Sequence, residues 1–260
     1  MKKNLRYNLI WLALAAILYF GLFAAYNGGM INLFSDAIIV NIGINIILAV
    51  SLNLIIGFSG QFSLGHAGFM AIGAYAGAIL SASNPTFGGF LTGLLVGMLV
   101  SGAVALVVGI PTLRLKGDYL AIATLGVAEI IRILLVNLRG LTNGPAGIFG
   151  LPQFSNWQIV FLFAVLSILV VSNFIHSGPG RATLAIREDE IAAESMGVNT
   201  TKYKVIAFVM GAVMASIAGT LYASYQQSVF PRDYGFMKSI DVLIIVVFGG
   251  LGSTTGAVVS

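Results

Sequence analysis

The sequence predicts an all-α, polytopic integral membrane protein of about eight transmembrane helices, one domain over residues 1–260. Three observations predict it. Hydrophobic residues make up 58% of the chain and charged residues 8%, against about 25% charged in a soluble domain. The mean hydropathy is +0.98, and the apolar residues gather into runs that approach the ~20 residues a helix needs to cross a bilayer. The charges collect between those runs, above all in Ser177–Lys204, SGPGRATLAIREDEIAAESMGVNTTKYK.

Eight runs read as spans: Leu9–Tyr26, Leu33–Gly57, His66–Ala82, Phe90–Ile110, Leu120–Leu138, Gln158–His176, Val205–Gln226 and Ile240–Val259. The first follows Lys2, Lys3 and Arg6 as a secretion signal would, but its apolar part is longer than a cleaved signal's. It reads as an uncleaved span. Asn27–Asn32, Ser83–Gly89, Pro111–Tyr119, Arg139–Trp157 and Gln227–Ser239 carry the Gly, Pro, Asn and charge of loops.

With the N-terminus inside, alternation puts Lys2, Lys3, Arg6, Arg114, Lys116, Arg181, Arg187, Lys202 and Lys204 on the inner side. Arg139, Arg232 and Lys238 fall outside. That bias sets the orientation and places Ser177–Lys204 in the cytoplasm. Within it, Ala185–Met196 has good helix formers and no Gly or Pro, so the residues predict a short surface helix. Pro179 and Gly180 break the chain before it, and Gly197 with Asn199 ends it. A soluble partner is expected to grip it.

Gly57–Leu80, GFSGQFSLGHAGFMAIGAYAGAIL, interleaves glycines with Ser59, Gln61, Ser63 and His66. Such a run breaks a helix, and broken backbone at membrane depth survives only inside protein or beside water. Gly60, Gln61, Ser63, Gly65, His66 and Gly68 are therefore candidates for a translocation path or gate. A tight turn followed by a helix with a small-residue packing face at Gly73 and Gly77 accounts for the same pattern. Glu129 and Arg132, one helical turn apart in the fifth span, form either a polar step on that path or a structural pair, within the chain or against another subunit. Asp36 and Asp241, near the outer span ends, are expected to reach water.

Several chemistries are excluded. The chain has no cysteine, which removes thiol nucleophiles and thiolate metal sites. No GxxxxGK[ST] loop is present, so the chain is not expected to hydrolyse ATP; no HExxH, GxSxG or DxDxDG motif points to an enzyme. His66 and His176 lie too far apart in sequence to suggest a metal site. The basic residues sit beside spans and carry no nucleic-acid signature.

Several segments, in order, resemble a known family: SLNLIIGFSGQFSLGHAGFMAIGAY, LRLKGDYLAIATLGVAEIIRIL, LTNGPAGI, GRATLAIREDEIAAESMGVNTTKYKVIAFVMGAVMASIAGTLYA and FGGLGSTTGAVV. The chain is similar to permeases of branched-chain amino acid ABC importers, of the LivM type. The resemblance implies an ABC importer permease fold in the bacterial inner membrane and a second homologous permease of the LivH type. It also implies two cytoplasmic ATPase subunits that hydrolyse ATP, and a periplasmic or lipid-anchored binding protein that delivers solute. No cofactor is expected on this chain. Urea and short-amide importers use similar permeases and remain the alternative, with a stand-alone carrier behind them.

ABC importer permeases carry a coupling loop of pattern EAA, three residues, then Gly. Ala192, Ala193 and Gly197 fit it, whereas Ile191 stands where the Glu would be and Glu190 comes one residue early. By that resemblance Arg181–Gly197 acts as a lever. Arg187, Glu188, Asp189, Glu190 and Glu194 are expected to make polar docking contacts, with Ala192, Ala193 and Met196 packing into the ATPase. The family continues past FGGLGSTTGAVV with more hydrophobic helix and a charged tail, so the sequence is expected to be truncated at Ser260.

Overall fold

A computed structural model describes residues 2–29, 31–115 and 117–260, with side chains from Ala13 onward. The basic side chains of Lys2, Lys3, Arg6 and Lys116 used in the orientation argument lie outside that set. The apolar runs form α1 (Lys2–Asn27), α2 (Leu33–Asn53), α3 (His66–Ser83), α4 (Phe87–Thr112) and α5 (Asp118–Asn137). A short α6 (Arg139–Thr142) follows, then α7 (Trp157–His176), α8 (Gly178–Glu188), α9 (Glu190–Ser195) and α10 (Thr200–Gln226). The chain closes with α11 (Phe236–Gly249) and α12 (Thr254–Val259). Among the described residues, five helices are long and apolar enough to cross a membrane: Leu33–Phe58, Phe87–Thr112, Asp118–Asn137, Trp157–His176 and Thr200–Gln226.

The bundle is built around α10. Its faces against α3 and α4 are made of residues too small to hold the backbones apart. A Cβ on Gly73 would lie 1.9 Å from the Ser216 carbonyl oxygen, and one on Gly219 would lie 1.9 Å from that of Met70. Gly93 packs on the backbone of Gly77, so α4 joins the same contact. The Thr220 hydroxyl donates to Gly73 O at 2.8 Å, and Ser101 donates to Ala212 O at 2.8 Å. With no hydrophobic drive between helices in lipid, close packing and such hydrogen bonds hold the core together. The packing reading of Gly73 and Gly77 is therefore the observed one.

The last span departs from expectation. Ile240–Val259 is not one helix: α11 ends at Gly249, and Gly250 and Gly252 take φ of +94° and +82°, which reverse the chain. The return helix α12 lies against α11, with Gly256 packed on the Gly249 carbonyl. Only glycine takes these backbone angles without strain.

At the end of the bundle away from α8, the two longest loops pair. Strands β1 (Ile148–Phe149) and β2 (Ser228–Val229) run antiparallel, Ile148 opposite Val229. Gly147, at φ +76°, lets the ribbon approach Val229 O, where a Cβ would lie at 2.2 Å. Tyr234 is buried under this cap in edge contact with Tyr222. Burial, then the neighbouring Tyr222 and Asp233, hold its hydroxyl well above the usual tyrosine range. Asp36 does not simply face water: its carboxylate accepts from the Tyr225 hydroxyl at 3.0 Å and ties α2 to the end of α10.

Gly73→Val should cost about 3 kcal/mol, because the clash is with backbone. Gly126→Ala, where a Cβ meets nothing within 4 Å, should be neutral. Thermal unfolding of the two purified variants in detergent checks the contrast.

Candidate functional site

The Ser177–Lys204 segment folds as two helices, not one. Ser177 caps α8 by accepting from Gly180 N at 3.2 Å, and Pro179 sits in the first turn, where its missing N–H costs nothing. It starts the helix instead of breaking the chain before it. The predicted helix over Ala185–Met196 is interrupted at Asp189, which is extended (φ −154°, ψ 108°). Its carboxylate accepts from Ile191 N at 2.9 Å and Ala192 N at 3.0 Å, so a new helix, α9, begins there. A short acid that can cap competes with helix continuation. Gly197, at φ +83°, closes α9, and Val198 N returns to Ala193 O at 3.0 Å.

This geometry sorts the expected docking residues. The Glu194 carboxylate accepts from the Thr200 hydroxyl at 2.7 Å, and Glu190 pairs with Lys204 at 2.5 Å. Ala193 is turned inward and buried, so it is not free to enter a partner's groove. Ile191 and Met196 remain 76% and 83% exposed, with Ala192 and Glu188 exposed beside them. Arg181 is exposed at the start of α8 and donates to His176 O at 3.3 Å.

Arg187 is engaged inside the chain. Its Nη1 donates to the Gly57 carbonyl at 2.5 Å. Gly57 lies in a π-helical turn, Leu54–Phe58, that continues α2. After it Gly60 turns at φ +67°, where a Cβ would stand 3.2 Å from Arg187 Cγ. The Gln61 amide donates to Lys204 O at 3.1 Å. The coupling segment and the glycine-rich stretch, read separately in the sequence, thus meet at one junction.

A third strand of chain enters it. Asn53 is fully buried; its Nδ2 donates to Ser253 O at 2.8 Å and its Oδ1 accepts from Gly252 N at 2.9 Å. The side chain supplies both partners to the reversal between α11 and α12. Sequence reading passed over Asn53; the available signal was an amide inside the apolar run SLNLIIG, where a polar group needs a partner.

Gln61, Ser63, Gly65, His66 and Gly68 are buried in helix packing, while Gly60 is exposed. Gly65 and Gly68 let α3 close on α5: a Cβ on either would lie 2.7 Å from the Thr124 or Ala128 backbone. Thr124 Oγ1 accepts from Leu64 N at 3.0 Å. His66 opens α3 with Nε2 at 2.8 Å from Ser51 Oγ. The Ser51 hydroxyl also lies 2.9 Å from Leu48 O. This geometry gives His66 a packing role at the helix start.

Glu129 and Arg132 are paired on α5, Nε donating at 3.0 Å to both carboxylate oxygens. The buried side of α5 is Leu120, Ala121, Thr124, Ala128 and Ile131. The pair lies off that side, with side chains 44% and 31% exposed. Among the described residues no group of three or more His, Asp or Glu is placed to hold a metal.

The helical bundle thus carries a capped, partly exposed helix pair at one end and small-residue packing at its centre. Residues 34–260 match the family described as branched-chain amino acid transport system / permease component. The chain belongs to that family. The permease is 41% identical over 220 residues to the high-affinity branched-chain amino acid transport system permease protein LivM of Salmonella typhimurium, covering 71% of this chain and 51% of that one. It is 40% identical to LivM of Escherichia coli with the same coverage. LivH of Escherichia coli matches at 31% over 146 residues, 49% of this chain and 47% of that one. The chain spans about half the length of these relatives. No solved structure matches it. The family is one of multi-pass transport proteins, not of enzymes.

Replacing Asn53 by Leu keeps the permease's side-chain volume but strips the part-buried Gly252 N–H of its partner, while Ser253 O keeps only its bond from Ala257 N. The expected loss is about 2 kcal/mol, seen as a lower unfolding temperature with new protease cleavage between Gly249 and Ser253.

Proposed function

We propose that this chain is one permease subunit of an ATP-driven importer of branched-chain amino acids, forming the translocation pathway with a second, homologous permease. Two ATPase subunits supply force at α8–α9, and a binding protein delivers solute at the opposite end, where the β1–β2 cap exposes Phe149. The complex sits in the bacterial inner membrane with the N-terminus and α8–α9 in the cytoplasm. The relatives' names support the substrate class, and the excess of Lys and Arg on one side supports the orientation.

One observation carries the reading. The α8–α9 pair exposes Ile191 and Met196, while its base is fastened by Arg187 to the turn that ends α2. An apolar tip on a polar, anchored lever is what a partner that pushes would need. The sequence carries no phosphate-binding loop, so in this reading ATP hydrolysis falls to the partner subunits. Closure of the ATPase pair would displace α8–α9. The displacement would pass through Arg187 to Gly57, and through Asn53 to the α11–α12 reversal.

Met196→Asp and Ile191→Asp test this directly, since both side chains are exposed and neither supports the fold. In the full complex reconstituted in vesicles, each should lower leucine uptake about tenfold or more through lost partner contact, while ATP hydrolysis continues. Wild-type uptake by both variants would sink the proposal. Ala193 and Gly197 are poorer probes, one being buried and the other at positive φ.

A further inference from the structure

We infer that Glu129 and Arg132 are the station at which the two charges of an amino-acid zwitterion are held midway through the membrane, on a face of α5 covered by the second permease. The inference rests on the transport reading above and names residues for it. Glu129 is the twelfth of the twenty residues of α5, about 17 Å along the helix at ~1.5 Å per residue. That is near the middle of a ~30 Å hydrocarbon layer.

At that depth the pair is not enclosed by this chain. Its side chains are 44% and 31% exposed, and Ile122, Ile130 and Ile133 of the same helix are exposed nearby. A structural pair within the chain would be packed among its own helices, and a lipid-facing position favours leucine over either charge. An ion pair is also a poor way to stabilise a buried contact, because apolar residues of similar volume commonly do as well. Charge complementarity therefore decides what covers this face: another protein surface with a polar passage, not acyl chains.

The chemistry selects the solute. An α-amino acid carries an ammonium and a carboxylate on the same carbon, and stripping water from both is the main obstacle to crossing. A carboxylate three residues before a guanidinium offers one partner to each. Glu129 would take the ammonium, and Arg132 the carboxylate through its planar fork. The internal pair opens as the solute enters and recloses as it leaves, so no charge is left unmatched. The exposed isoleucines suit an aliphatic side chain. A neutral solute such as urea has no use for this arrangement.

The test uses the complete transporter with its partner permease, ATPases and binding protein in vesicles. Glu129→Leu/Arg132→Leu should assemble with its ATPases and lose leucine uptake by about tenfold or more, the loss of two charge-assisted contacts. In the membrane-embedded complex, Glu129→Cys should react with the water-soluble cation methanethiosulfonate ethylammonium, and leucine-loaded binding protein with ATP should slow the reaction. Unchanged uptake by the double leucine variant overturns the inference, as does a Cys at 129 that the aqueous cation never reaches. If the unmodified complex imports no leucine at all, it is the transport reading that fails.

Discussion

The closeness of α3 to α10 is the constraint on which the rest of the molecule depends. Met70, Gly73, Ser216 and Gly219 meet backbone to backbone, leaving no room for another methyl group. In lipid no solvent pushes helices together, so contact at this range is what cohesion consists of. Once those helices are fixed, α4 joins through Gly93 and Gly97, and α5 closes on α3 through Gly65 and Gly68. Small residues set positions that large ones merely fill.

The same economy governs the end of the bundle that carries α8 and α9. The π-turn at Leu54–Phe58 and the reversal at Gly249–Ser253 leave backbone groups without helical partners. Such groups are costly away from water. Here side chains meet the need: Arg187 for Gly57 O and Asn53 for Gly252 N, with the Asn53 amide adding a second bond to Ser253 O beside that from Ala257 N. Three segments far apart in sequence are thereby bound into one mechanical unit.

Much of this was legible in the sequence. The lengths of the apolar runs set the helices, because a span must satisfy its backbone internally. The break between Gly57 and His66 showed in its glycines, and the polar segment after Ser177 in its charges. What stayed hidden depends on pairing across distance. Asp189 reads as one acid among several until its backbone turns extended and its carboxylate caps α9. Arg187 reads as a surface charge until Gly57 lies beneath it. The final span reads as continuous because FGGLGSTTG is mild in hydropathy, and only positive φ at Gly250 and Gly252 reverses it.

The shortness of α11 has a consequence for the lipid around it. Fourteen residues give about 21 Å of helix, well under a ~30 Å hydrocarbon layer. The bilayer must therefore pinch inward where α11 stops, or headgroups and water must follow the chain down to Gly250.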